Sequence, residues 1–403
     1  MLSLAFRNLF RHGLRTALTL AAIALGVMAL VLTGGFIEDA LTQLGEATIH
    51  SQLGHVQVSR EGYASVGRRD PFAYLIQGPE RRRAELGALD EVSEVMMRLD
   101  LAGLASNGRS DRPVIAEGVE PDREARLGTF VTIVAGRQLT DQDAYGALLG
   151  EGVAKALRLS PGDPLTLVAN ALEGALNTLD FEVTGVFRSF SRDYDDRALR
   201  IPLTAAQELL ATDSVHTLVL NLTRTDATDA VVDRARELLA GQGFEVQPWH
   251  VLADFYRKSV ELYRRQFGVL QVIILTMVVL GVANSINLAV HERTGEFGTL
   301  MALGRRPRDI FRLVVTEAAL LGLCGAALGV ILGVLSAWGV SRLGIPMPPM
   351  PNSEVGYTAH IRVVPRVVSL AFIVGLVSTV IASLLPARRT ARLPVVGALR
   401  ANV

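Results

Sequence analysis

Few residues of this 403-residue chain are spaced to do covalent chemistry. A phosphate-binding P-loop needs a Gly-Lys pair so that backbone amides and an ammonium hold the phosphates. Here Ala154 precedes Lys155 and Arg257 precedes Lys258, and there are no other lysines. His50 and His55 are five apart, off the i, i+4 spacing that puts two imidazoles on one helix face, and no H-E-x-x-H occurs. Packing is their expected role. Asp193, Asp195 and Asp196 stand in SRDYDDR, interleaved with Arg192 and Arg197 and without the glycine and distal glutamate of a calcium loop. They read as a solvated loop. Gly150-Glu151-Gly152 is a fragment of a dinucleotide fingerprint, and no serine has a G-x-S-x-G context. No catalytic, metal or cofactor-binding residues are expected, so the chain reads as no enzyme.

What the sequence does organise is a charged interval between two apolar runs. Gly281–Gly333 reads GVANSINLAVHERTGEFGTLMALGRRPRDIFRLVVTEAALLGLCGAALGVILG. Phe297, Leu300, Met301 and Leu303 recur at roughly helical spacing, with Glu292, Arg293 and Glu296 one turn earlier. A short amphipathic helix is expected, its apolar side unused by its own chain and so in need of a partner. The plainer reading, basic residues anchoring a loop at a membrane face, stays open. Downstream, Gly322, Gly325, Gly329 and Gly333 share one helix face, which lets two helix backbones approach closely. Ala22 and Gly26 form a weaker face of the same kind. Whether that interface lies within the chain or between two copies is open. Glu317 is expected to face protein, water, Arg308 or Arg312, because lipid disfavours a carboxylate; otherwise it sits at the interface near a helix N-terminus. Asn284 and Asn287 are expected to hydrogen-bond other helices or to line a polar path. Cys324, the single cysteine, lies in an apolar run, forms no intrachain disulfide and reads as a packing residue.

The elements that must position these residues are membrane helices. Half the chain is hydrophobic, and 40 basic residues balance 40 acidic ones. Only two of the basic residues are lysines, a compositional bias without functional weight. Thr16–Phe36 is free of charge over 21 residues and is too long for a signal-peptide core, so an uncleaved helix is expected. Residues 267–290, 318–340 and 367–385 give three further spans. Arg7, Arg11 and Arg15 flank the first span, Arg293, Arg305, Arg306, Arg308 and Arg312 separate the second and third, and Arg388, Arg389, Arg392 and Arg400 follow the fourth. With four spans these clusters share a side, which the positive-inside rule makes cytoplasmic. The expected organisation is a cytoplasmic segment 1–15, spans 16–36 and 267–290 around an extracytoplasmic domain 37–266, and a cytoplasmic coupling loop 291–317. Span 318–340, a short outer loop 341–366 stiffened by Pro346–Pro351, span 367–385 and a cytoplasmic tail 386–403 complete it.

The inserted domain mixes strand and helix patterns. Residues 55–59, 112–119, 164–168, 181–187, 217–222 and 244–247 read as strands, and 151–159 and 227–242 as helices. That makes an α+β domain of two lobes. Ile37–Leu53 and Val251–Gln266 read as helices that continue the first two spans outward into a stem, or else as ordinary surface helices.

ERTGEFGTLMALG followed by an apolar helix with an early glutamate resembles the signature of lipoprotein-releasing permeases, MacB-type efflux permeases and FtsX-like proteins. LAFRNLFRHGLRTALTLAAIALGV resembles that family's first helix and LLPARRTARLPVVGALR its C-terminal tail. GHVQVSREGY most resembles the lipoprotein-releasing (LolC/LolE-type) branch. The resemblance implies an ABC transporter permease in the bacterial inner membrane, with four helices, both termini cytoplasmic, and an α+β domain between helices one and two. It implies a separate cytoplasmic ATPase that carries the ATP and magnesium, and a second permease subunit in a homo- or heterodimer. Work done on the ATPase side would move the outer domain by mechanotransmission. The coupling element would be Glu292, Gly295, Glu296, Phe297, Gly298, Leu300, Ala302, Leu303 and Gly304. Lipoprotein release is the favoured function, with membrane lipids and a lipoprotein or other periplasmic protein as partners and no nucleic acid. Drug or peptide efflux, an FtsX-like regulator of cell-wall hydrolases and a nucleotide-free membrane sensor are the alternatives.

Overall fold

A computed structural model describes residues 13–392 except 68–69, 128–130, 173, 190 and 348–355. The basic segment with Arg7 and Arg11, the prolines at 348, 349 and 351, and the tail from 393 with Arg400 lie outside the described residues. The chain divides into two compact units. One comprises residues 1–41, 260–346 and 358–403, and the other residues 42–259 and 347–357.

The first helix, α1 (Gly13–Thr48), widens into a single π turn, Ile49–Leu53, which Gly54 closes at φ +65°. The left-handed conformation there favours glycine. There follow β1 (Val56–Arg60), α2 (Pro79–Gly87), β2 (Val92–Ser106), β3 (Asp111–Val119), α3 (Pro121–Leu127), β4 (Thr132–Gly136), β5 (Gly146–Gly150) and α4 (Glu151–Leu157). Next come β6 (Pro164–Asn170), β7 (Leu176–Arg188), β8 (Ala198–Pro202), α5 (Leu203–Leu210), β9 (Thr217–Leu222), α6 (Thr228–Leu238) and β10 (Phe244–Pro248).

Two lobes share one long strand. In the first, β10-β1-β9-β2 form an antiparallel sheet whose order, with α2 and α6 as connections, is that of a split β-α-β-β-α-β motif. In the second, β2, β3, β8, β5, β7 and β6 pair in turn until β6 returns to β2, and β4 adds to β7. Such a closed ring leaves no open edge among its members. The 15-residue β2 serves both lobes. Its segment Val92–Arg98 pairs with β9, and Leu99–Ser106 pairs with β3. A single core runs through both lobes: Val58, Leu99, Leu167, Leu199, Ile201 and Leu220 from strands, with Leu86, Leu209 and Val231 from helices. Each of the strand patterns read from sequence falls on a strand, extended or shifted by a few residues. The strands β2, β4, β5 and β8 are additional.

After β10 come one helical turn, Trp249–Leu252, a break at Ala253 with ψ 78°, and then α7 (Asp254–Glu292). The short α8 (Thr294–Ala302), α9 (Pro307–Leu343), strands β11 (Ile345–Met347) and β12 (Tyr357–Ala359), and α10 (Pro365–Ala391) finish the described chain. Among the described residues four helices, α1, α7, α9 and α10, are long and apolar enough to cross a bilayer, with mean hydropathy of 2.3 to 2.5 over their most apolar stretches.

Within that membrane unit α1 is central. A Cβ on Gly325 of α9 would lie 2.9 Å from Ile23, and one on Gly333 would lie 3.0 Å from Val31. One on Gly329 would come within 2.7 Å of both the Ala24 carbonyl and Val27. Gly322 faces Thr379 of α10 instead, at 3.0 Å. The glycine stripe is thus filled from within the chain, and its role is to let α9 meet α1 and α10 backbone to side chain. Gly26 packs against Val278 of α7, whereas Ala22, one turn earlier, is exposed in an open cleft between α1 and α7.

Candidate coupling site at the junction of α7, α8 and α9

The turn into α8 is built by one residue. Arg293 leaves helical geometry (φ −100°, ψ 11°) between the end of α7 and the start of α8. Its guanidinium donates to Glu317 Oε2 of α9 at 2.9 Å and to Glu296 Oε2 of α8 at 3.0 Å, and lies 5.1 Å from the Phe297 ring centre. Three elements are therefore pinned by one planar, always-charged group, the geometry at which arginine excels over lysine. Glu317 was expected to face protein, water, Arg308 or Arg312, or else to sit at the interface near a helix N-terminus; a guanidinium that reaches it is that of Arg293. Sequence adjacency hid the pairing, because the chain doubles back 24 residues to make it.

The far end of α8 is closed as firmly. Gly304 at φ +88° sends its N–H to the Met301 carbonyl at 3.0 Å, and the Arg305 N–H reaches the Leu300 carbonyl at 3.1 Å. This is the paired Schellman pattern that a left-handed glycine makes possible. Pro307 then opens α9, and Asp309 accepts the Arg306 N–H at 3.2 Å.

The apolar side of α8 is used by its own chain, contrary to expectation. Phe297 is only 1 % exposed and joins Val290, Ile310 and Val314, while Leu300 and Met301 pack against the same cluster. Gly295 and Gly298 are buried with it. Helical spacing identified the apolar side but not which protein it faces. Among the residues left outward are Glu292, Thr299, Ala302, Leu303 and Gly304, followed by Arg305, Arg306 and Arg308, with Leu303 78 % exposed and Glu296 at the margin.

The remaining polar residues sort differently from expectation. Asn284 and Asn287 make no hydrogen bond to another helix among the described residues. The cross-helix bond is instead between Thr19 of α1 and Ser285 of α7, which small hydroxyls gave little reason to single out. Asn284 lines an open cleft of about 620 Å³ with Leu14, Leu18, Thr19, Ala22 and Leu288. Cys324 is exposed on α9 and fills no space inside the chain. Among the described residues no group of His, Cys, Asp and Glu is placed to hold a metal ion. An open cleft of the globular unit, about 950 Å³, is lined by Arg60, Glu61, Tyr74, Asp213 and Ser214 among others, and is polar. His55 is a core residue there. Its Nδ1 accepts the Leu222 N–H at 3.2 Å, and burial, with the neighbouring His50 adding to it, holds its pKa down at about 4.

Apolar spans, a pinned short helix between the second and third of them, and a large α+β domain between the first and second make up the subunit of a membrane permease. Residues 16–238 match the MacB-like periplasmic core domain, and residues 257–395 match the FtsX-like permease C-terminal. The chain belongs to the MacB/FtsX-like family of ABC transporter permeases, and its α+β domain is periplasmic. It is similar to the lipoprotein-releasing system transmembrane protein LolC of Neisseria meningitidis serogroup B, at 24% identity over 96% of this chain and 94% of that one. It is also similar to the macrolide export ATP-binding/permease protein MacB of Rhodospirillum rubrum, at 28% identity over 100% of this chain and 60% of that protein's length. Among solved structures, the periplasmic region of MacB from Actinobacillus actinomycetemcomitans matches 52% of this chain and 93% of its own at 16% identity, with a TM-score of 0.36. Members of the family are ABC transporter permeases working with an ATPase, and a multi-pass inner-membrane protein fits the four helices.

Proposed function

We propose that the chain couples ATP hydrolysis by a separate cytoplasmic ATPase to movement of its periplasmic domain, and that the work released frees lipoproteins from the inner membrane. The observation that carries this reading is α8. One side is locked to α7 and α9 through Arg293, Glu317 and Phe297. The other leaves Leu303 and Ala302 uncovered beside three arginines. A helix held this way passes a push on its outer side into two membrane helices. Both termini are then cytoplasmic, the basic clusters lie on the ATPase side, and a second permease subunit completes the transporter. Of the coupling residues proposed from sequence, Glu292, Glu296, Ala302, Leu303 and Gly304 meet the ATPase. Gly295, Phe297, Gly298 and Leu300 set the helix in place.

Lipoprotein release is supported by near full-length similarity to LolC. Drug or peptide efflux is the second reading, supported by the MacB-like match over 16–238.

The test is affinity purification in mild detergent beside Leu303→Asp, followed by reconstitution with whatever ATPase copurifies. The expected result is an ATPase with wild type and its loss from a folded Leu303→Asp protein. ATP-dependent release of a triacylated lipoprotein from the proteoliposomes is then expected, whereas ATP-dependent movement of a macrolide alone selects efflux. If wild type brings no ATPase while its dimer persists, the coupled-permease reading fails.

A further inference from the structure

The last turn of α1 is held by two arginines that the coupling site does not use. A helix leaves its final carbonyls without intrahelical partners, and a cation is favoured there. Arg200 Nη2 of β8 donates to the Ser51 carbonyl at 2.7 Å, and Arg98 Nη1 of β2 donates to the Gln52 carbonyl. Both side chains are buried, at 2% and 5% exposure. Each is held by a carboxylate. Glu124 of α3 takes Arg98 through both oxygens and lies 3.8 Å from Arg200. Glu117 of β3 accepts from Arg200 Nε at 3.3 Å and from the Tyr194 hydroxyl at 2.8 Å. Two guanidinium groups and two carboxylates leave the cluster neutral. Burial pushes the Glu117 carboxyl above its usual range, and the arginines pull against that.

Position makes the cluster more than a cap. Arg98 is the last residue of β2 paired with β9, and Leu99 the first paired with β3, so Arg98 stands where the shared strand passes from one lobe to the other. Arg200 is paired on both sides, with Glu117 of β3 and Leu148 of β5. Burying four charges is a poor route to stability, because desolvation offsets most of the attraction. What such a network does supply is fixed, planar geometry. The other helix that enters the globular unit is joined differently, since non-helical Ala253 separates α7 from the turn after β10.

We propose that Arg98 and Arg200 are positioning residues that fasten the end of α1 to both lobes at once, so that movement of α1 passes into β2 and β8 instead of being lost as fraying, while α7 joins through the break at Ala253. This rests on the coupled-permease reading.

The test is hydrogen exchange of the full-length permease with its ATPase in nanodiscs, with and without ATP. Wild type is compared with Arg98→Met/Glu124→Gln/Arg200→Met/Glu117→Gln, which removes each charge together with its partner. In wild type, ATP is expected to change exchange in β2 and β8. In the variant that response is lost, while nucleotide-free exchange of those strands and ATP turnover stay within about twofold. Should the neutral variant fail to fold, Arg98→Lys/Arg200→Lys conserves charge but cannot hold carboxylate and carbonyl in one plane, and a reduced response is again expected. A response in either folded variant equal to wild type overturns the clamp and leaves the coupled permease standing. No response in wild type overturns the coupled-permease reading and the clamp with it.

Discussion

Arg293 and Phe297 set the limits on what the coupling loop can do. The signature residues Glu296 and Phe297 invite mutation as contacts for a partner, yet Phe297 is interior. Phe297→Asp should therefore unfold or deplete the protein, since truncating a buried Phe costs about 3–5 kcal/mol and a buried carboxylate adds to that. Detergent thermal stability and yield are the measurements, and a stable Phe297→Asp protein would refute the burial argument. A second residue gives a pH signature. His55 titrates at about 4 against the ordinary 6.5, so between those values the unfolded chain takes up the proton first. Stability of the globular unit should be full above pH 6.5 and fall as the pH drops towards 4, by at most about 3 kcal/mol. Denaturant melts across that range should show the slope, and His55→Asn should flatten it.

At the scale of elements, the glycine stripe decides how α9 packs. Gly329 approaches the α1 backbone so closely that no side chain fits without displacing one helix. Gly329→Leu is expected to lower stability by about 1–3 kcal/mol or more through overpacking. Gly339→Leu, ten residues on and with open space around its position, should leave the melting temperature nearly unchanged. Equal effects at the two sites would mean that the stripe matters through helix propensity alone. The four-residue glycine period was plain in the sequence, because it is a local pattern; the turn at Gly304 and the helix start at Pro307 came from the structure. The strands β2 and β8 were not plain in the sequence either. The first pairs with three neighbours along its length, and the second is five buried residues with an arginine in the middle. Neither shows the alternation that a one-sided strand displays.

At the scale of the molecule, the globular unit has its own continuous core, and two of its strands, β1 and β10, bring the chain's entry and exit side by side. Residues 42–259 expressed alone should fold, giving one cooperative melt and protected amides in β2, β8 and β9. A broad, non-cooperative melt would show that the core depends on the membrane unit. The same organisation frames the transporter reading: the two long helices α1 and α7 carry the chain into and out of the globular unit, one ending at a charged clamp and the other at a break.

By itself the sequence determined four apolar spans, the basic clusters between them, an α+β insertion after the first, and the absence of a P-loop from these residues. Each follows from composition and short-range periodicity, which act within a turn or two of the chain. Only the tertiary structure decided that the glycines meet α1, that Glu317 meets Arg293, that Phe297 faces inward, and that two distant arginines close the end of α1. The pairings of Glu317 with Arg293 and of Ser51 with Arg200 join residues 24 and 149 positions apart. They are settled by which surfaces must leave water or lipid together, a constraint that no local pattern records.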